Sequence, residues 1–160
     1  MTFEKTPPKR DTVNPPALLE FMMKGWRPQS TELPAPHPHA ETFRARREAL
    51  RRRFPRDVLV VPTGHEQVRA NDTHFRFRPG SDFFWLTGNQ EPDCVLVLTP
   101  DGEQLFVEPN PGRTDATFYT DRKKGELWVG PRFGVPQSEA FFGLPARPLS
   151  ELPAVLERHP

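Results

Sequence analysis

The sequence predicts an α/β fold, a mixed β-sheet flanked by helices, on three observations. Two β-rich runs, Asp93-Cys94-Val95-Leu96-Val97-Leu98 and Gln104-Leu105-Phe106-Val107, flank Pro100-Asp101-Gly102, a turn that joins them as a hairpin. A helical pattern from Glu41 to Phe54 precedes the strands. A second helix opens after them at Ser150-Glu151-Leu152-Pro153, with Ser150 as its cap and Pro153 in its first turn.

Taken in order, residues 1–40 form a Pro-rich arm. Proline is 21 of 160 residues, against a usual ~5%, and Pro7, Pro8, Pro15, Pro16, Pro28, Pro34, Pro36 and Pro38 all fall here. Such a segment holds no long helix or central strand. One short helix fits between Pro16 and about Lys24, stopped by Gly25. Leu18, Leu19, Met22 and Met23 then share a face that must pack on something, either this chain or a partner chain. The helix Glu41–Phe54 places Phe43, Leu50 and Phe54 on one side. Arg44, Arg46, Arg47, Arg51, Arg52, Arg53 and Arg56 cover most of the rest, which reads as a solvated face.

Asp57-Val58-Leu59-Val60-Val61 reads as a strand covered on both faces and closed by Pro62-Thr63-Gly64. Phe75-Arg76-Phe77-Arg78 alternates as a half-exposed strand. Phe83-Phe84-Trp85-Leu86-Thr87 reads as an aromatic strand ended by Gly88, and Glu126-Leu127-Trp128-Val129 as a short strand. Residues 110–122 read as a long polar loop, and Ser138–Phe142 as a helical turn.

Composition excludes several function classes. The formal net charge is +1, which makes no general case for nucleic acid or membrane. A nucleic-acid patch on Arg44–Arg56 would want interleaved aromatics or a second basic element, and neither is evident. No apolar run approaches the ~20 residues that cross a bilayer, and no apolar h-region follows Met1. A cytoplasmic protein is the expectation. The single cysteine, Cys94, lies in an apolar run and reads as a buried small hydrophobe rather than a reactive thiol.

Catalytic motifs are absent. His37, His39, His65, His74 and His159 show no metal-ligand spacing, and His37-Pro38-His39 has no third ligand nearby. There is no Gly-x-Ser-x-Gly and no P-loop. The acids Asp72, Asp82, Glu91 and Asp93 each sit in or beside a turn, where carboxylates commonly bond to local backbone.

A set of blocks between Phe43 and Pro160 carries a resemblance. They are Pro62-Thr63-Gly64-x-Glu66, Arg69-x-x-Asp72, Phe77-Arg78-x-x-Ser81-Asp82-Phe83, Leu86-Thr87-Gly88-x-x-Glu91-Pro92-Asp93, Val95–Leu98 and Gly125-Glu126-Leu127-Trp128-Val129-Gly130-x-Arg132. In order and spacing this set resembles the N-terminal domain of the aminopeptidase P, prolidase and creatinase group, bacterial aminopeptidase P above all. The resemblance implies a domain at 41–160 preceded by the arm 1–40, in the creatinase/aminopeptidase P N-terminal-domain type of fold. It implies a parent Xaa-Pro aminopeptidase whose C-terminal pita-bread domain, absent from this chain, holds two metal ions, usually manganese, on two Asp, one His and two Glu. It further implies a homo-oligomer, dimer or tetramer, acting on peptides with proline at the second position.

By the same resemblance the chain has no catalytic or metal-binding residue of its own. It lends Asp72 and Trp128 to a neighbouring subunit. Asp72 would receive the substrate's α-amine, and Trp128 would roof the pocket. Asp72 also fits a cap on the turn after Asn71, and Trp128 also fits a core position. Arg69, Arg78 and Asp82 read as structural, an Arg–Asp pair orienting the segment from Phe83 to Thr87. The other reading from a different class is a metal-free peptide- or protein-binding module of the same fold.

Overall fold

The computed structural model describes residues 14–27, 30, 32–70 and 73–159. In chain order the elements are α1 (Pro16–Met22), α2 (Ala40–Arg53), β1 (Leu59–Pro62), β2 (Val68–Ala70), β3 (Thr73–His74), α3 (Ser81–Thr87), β4 (Val95–Thr99) and β5 (Gly102–Val107). They continue with α4 (Thr117–Thr120), α5 (Glu126–Val129), α6 (Val135–Phe142), β6 (Ala146–Pro148), a 3-10 turn (Leu149–Glu151) and α7 (Leu152–Leu156). The chain divides into two compact units. A larger one comprises 30–110 and 131–160, and a smaller one 1–29 and 111–130.

The larger unit is built on a four-stranded sheet of order β1-β4-β5-β6. The expected hairpin is its centre: β4 and β5 pair antiparallel from Val95↔Phe106 to Thr99↔Gly102. β1 joins antiparallel (Leu59↔Leu98 to Pro62↔Val95) and β6 joins parallel (Leu105↔Ala146 to Val107↔Pro148), so the sheet is mixed. Side chains alternate along the two central strands. Leu96, Leu98, Leu105 and Val107 face one core with Phe83, Leu86, Phe142 and Leu144. Val97 and Phe106 face the other with Val155, against which Leu149, Leu152 and Leu156 pack. A strand with helices on both faces reads as an unbroken apolar run, as β4 does. Cys94 lies in the first core, and burial pushes its thiol up to about 12.

The arginine helix is not simply a solvated face. Arg47 is 0% exposed, donating to the Leu86 carbonyl at 3.0 Å and pairing with Glu103 at 2.9 Å. Arg46 donates to the Trp85 carbonyl at 3.0 Å and stacks on the Trp85 ring at 4.7 Å. Arg51 donates to the carbonyls of Thr99 and Pro100, both at 3.1 Å. Three arginines thus donate to carbonyls at the end of α3 and at the hairpin turn, where helix-end carbonyls need partners from outside the helix.

Further sequence expectations are corrected. Phe83–Thr87 lies in a helix: Phe83, Leu86 and Thr87 are buried at i, i+3, i+4 while Phe84 and Trp85 face out. Gly88 caps it at φ 70°, where an added Cβ would stand 2.3 Å from the Phe43 ring. Glu126–Val129 is one helical turn rather than a strand, bracketed by Gly125 and Gly130. β1 is an edge strand with one covered face, its burial alternating half-buried and exposed. Phe75–Arg78 has no regular structure, and the two-stranded ribbon β2–β3 stands before it. The loop 110–122 contains α4. The last helix starts after the 3-10 turn with Glu151, not Ser150, at its cap position and no side-chain cap bond, although Pro153 is in its first turn. The helical turn expected at Ser138–Phe142 is present, longer by three residues at its start.

Candidate functional site

The smaller unit is held by side chains bonded to the backbone rather than by a sheet. The Asp115 carboxylate accepts from the Thr117 amide at 2.8 Å and from its hydroxyl, bonds that hold Asp115 below the usual aspartate range. Asp121 accepts from the amides of Lys123 and Lys124 at 2.8 and 3.0 Å, turning the chain from α4 towards α5. Gly125 closes that turn: its amide donates to the Asp121 carbonyl at 2.8 Å. A Cβ there would meet the carbonyl oxygens of Thr117, Asp121 and Phe118 at 2.5–2.7 Å, so only glycine fits without movement.

This turn presents Trp128. Its indole Nε1–H donates to the Tyr119 carbonyl at 2.7 Å, while the side chain stays 51% exposed. Trp128 is therefore not a core residue. Leu127 and Val129 beside it are also exposed, and Arg122 lies over the indole at 5.4 Å. Phe118 and Tyr119, buried and edge-to-face at 4.9 Å, form the support beneath. The Tyr119 hydroxyl stands 2.9 Å from two carbonyls, those of Met22 and Arg113, and so ties α1 to the same support. Between α1 and α5 runs a groove of about 690 Å³, with Leu18, Leu19 and Met22 along one wall and Leu127 and Trp128 along the other. Thr120, Asp121, Arg122 and Lys123 also line it, so the groove pairs apolar walls with polar and charged groups that a peptide segment could meet.

Of the two expected site residues, Trp128 lies in the smaller unit and Asp72 in the span of the larger. Asp72 itself falls outside the described residues. Its flanks are placed by the ribbon, where Val68 pairs with His74 and Ala70 with Thr73, and the Thr73 hydroxyl donates to the Ala70 carbonyl at 2.7 Å. Arg78 and Asp82 form no ion pair with each other among the described residues; Asp82 stands in the first turn of α3, where its charge suits the helix N-terminus. Glu91 is part-buried, and burial pushes its carboxyl up, opposed by Arg132 and aided by Glu66. Asp93, at φ 57°, pairs with His65 and donates its amide to the Gly64 carbonyl at 2.9 Å. These contacts knit the Pro62–Glu66 and Glu91–Cys94 blocks together.

No group of three His, Cys, Asp or Glu converges to hold a metal among the described residues. His37 instead packs edge-on against Phe43 and Phe141, each at 5.2 Å, and its Nδ1 accepts from the His39 amide. A dinuclear manganese centre does not fit these residues, since hard divalent ions need several carboxylates around one cavity. No helix among the described residues is long and apolar enough to cross a membrane. Sequence reasoning missed the Tyr119 support. Its signal was faint, one tyrosine in a polar loop, because the bonds that define it run through backbone carbonyls.

Comparison with known proteins agrees with the resemblance in the sequence. The family described as aminopeptidase P, N-terminal domain, matches residues 43–159. Xaa-Pro aminopeptidase 1 of Streptomyces coelicolor is 37% identical over 139 residues, which cover 84% of this chain and 28% of that relative. The chain therefore spans under a third of the curated relative it matches. Among solved structures, aminopeptidase P from E. coli with the inhibitor Pro-Leu superposes with a TM-score of 0.64 at 26% identity, covering 77% of this chain and 27% of that one. A zinc-substituted form of the E. coli enzyme in complex with product gives 0.63 at 26%, with the same coverage.

Proposed function

The chain belongs to the aminopeptidase P N-terminal domain family, and from that membership we propose that it is the non-catalytic domain of a metal-dependent Xaa-Pro aminopeptidase. In this reading residues 41–160 are the domain and 1–40 its arm. The domain docks on its own C-terminal catalytic domain, helps a dimer or tetramer assemble, and closes a neighbouring subunit's active site in the cytoplasm. Manganese or a similar divalent ion belongs to the C-terminal domain, where it supplies the activated water. The substrates are peptides with proline at the second position.

One observation carries the reading: an indole held by its N–H at 2.7 Å yet 51% exposed on a glycine-bracketed turn. A tryptophan so fixed and so open offers a rigid apolar face to something outside its own core. Over a reaction centre such a face excludes water and strengthens the electrostatics beneath it. Asp72 would supply a carboxylate for the substrate's ammonium, binding free amino termini and rejecting blocked ones.

The test is the whole enzyme, made by joining this chain to the next part of its reading frame. Trp128→Ala and Asp72→Ala should each raise KM or lower kcat for an Xaa-Pro peptide by roughly tenfold or more. Unchanged constants in both would end the proposal. The purified 160-residue chain with added manganese should show no cleavage of the same peptide. The groove beside Trp128 also favours a second reading, a metal-free peptide-binding module. A downstream Asp, Asp, His, Glu, Glu set would decide for the peptidase.

A further inference from the structure

α1 is a marginal helix. It has seven residues, no side-chain cap, no acid in its first turn and no buried residue. A helix of that length is unstable by itself and depends on what it docks against. Its seat is slight: Leu19, Met22 and Met23 are half-buried, while Leu18 and Phe21 remain 46% and 77% exposed. Among its ties are the Tyr119 hydroxyl on the Met22 carbonyl and Arg113 stacked 5.0 Å from the Trp26 ring. Yet α1 is one wall of the groove whose other wall is Trp128, and Tyr119 touches both, α1 with its hydroxyl and the indole with its carbonyl.

We infer that α1 is a detachable strap on the Trp128 groove. Docked, it narrows the groove and, through Tyr119, holds the indole where it now stands. Released, it opens that wall and lets Tyr119 and the indole move. The exposed face thus has a closed and an open state separated by few contacts, as expected for segments at the low-stability end of a fold. An apolar segment able to take the seat of Leu19 and Met22 would favour the open state. This inference deepens the reading of Trp128 as a residue presented to a neighbour, and rests on that reading for its biological use.

The experiment is NMR on the 160-residue chain labelled with 15N, following the Trp128 indole N–H, assigned by its loss in Trp128→Phe. Leu19→Glu places a charge in the seat of α1. It should shift the indole peak and raise its exchange with solvent about tenfold, leaving the β4 and β5 amides unmoved. Tyr119→Phe, which removes only the hydroxyl, should do the same to a smaller degree. A peptide of residues 14–27 added to the Leu19→Glu chain should return the peak towards its original position. Trypsin should cut after Lys24 faster in both variants. An indole peak and exchange rate unchanged in both variants would overturn the strap. That result would leave the role of Trp128 at a neighbouring site intact, because that role is read by enzyme activity and not by this peak.

Discussion

The two units of the chain keep their shape by different means. In the larger, β4 and β5 are buried on both faces, Phe83, Leu96, Leu105 and Phe106 are sealed from solvent, and a charged side chain, Arg47, is 0% exposed. In the smaller, the helices are single turns or little more. The ordering bonds run from Asp115, Asp121, Tyr119 and Trp128 to the backbone, and Leu127, Trp128 and Val129 stay open. The larger gathers apolar side chains into two cores; the smaller buries Phe118 and Tyr119 and leaves Leu127, Trp128 and Val129 outward. A protein that needs a rigid scaffold and a face for other molecules gains from this division, since a mutation in the open face costs little stability.

Mutations can break that contrast. The largest effect should come from Arg47→Ala, which strands Glu103 and the Leu86 carbonyl in a nearly dry site. A loss of about 3–5 kcal/mol is expected from a buried pair with one partner removed, read as a lower urea midpoint. An Arg47→Ala chain as stable as the parent would mean the pair is solvated. Next is Leu105→Ala, a cavity at the sheet centre, at about 2–5 kcal/mol by thermal melting. In the smaller unit Gly125→Ala should cost less, about 1–3 kcal/mol of local strain. Its signature is a displaced Trp128 indole resonance while the β4 and β5 amides keep their exchange protection.

Cys94 offers a chemical measure of the same contrast. Buried and pushed up to about 12, its thiol should react with a disulfide reagent at neutral pH at least ~100-fold more slowly folded than in denaturant. Equal rates would show the first core open.

The smallest effect is in pH dependence, and it has opposite signs in the two units. Glu91 is raised by burial, so the folded state holds its proton more tightly than the unfolded chain does. Its contribution is therefore lost as pH rises from the ordinary glutamate range through its raised value, and Glu91→Gln should flatten that fall. Asp115 is lowered by hydrogen bonds, so its contribution is present above the ordinary aspartate range and lost as pH falls through its lowered value. Asp115→Asn should flatten the acid limb of the smaller unit. Because Asp115 is exposed, solvent screening keeps that change small. Same-sign slopes at the two sites, followed by NMR, would contradict these assignments.

Much of the larger unit was legible in the residues. The β4–β5 hairpin followed from Pro100-Asp101-Gly102 between two apolar runs, α2 from its periodicity, and the buried state of Cys94 from its neighbours. The set of short blocks pointed to the family that the chain proves to belong to. The site was less legible. Trp128 could be singled out only by resemblance, and its support by Tyr119 not at all. The arginines of α2 looked alike, but Arg47, Arg46 and Arg51 find carbonyls in segments about 40 to 50 residues away.

What the sequence alone determined is what neighbouring residues settle among themselves. Turn chemistry and pleat alternation set the hairpin, and 3.6-residue periodicity set α2. Tertiary structure decided the state of Phe83–Thr87 and Glu126–Val129. A short apolar run becomes a strand only if another strand offers its open edge. Here the four-stranded sheet pairs with neither segment, so each closes its hydrogen bonds within itself as a helical turn. That outcome turned Trp85 outward in the larger unit and Trp128 outward in the smaller, and it is the open Trp128 indole on which the proposed function depends.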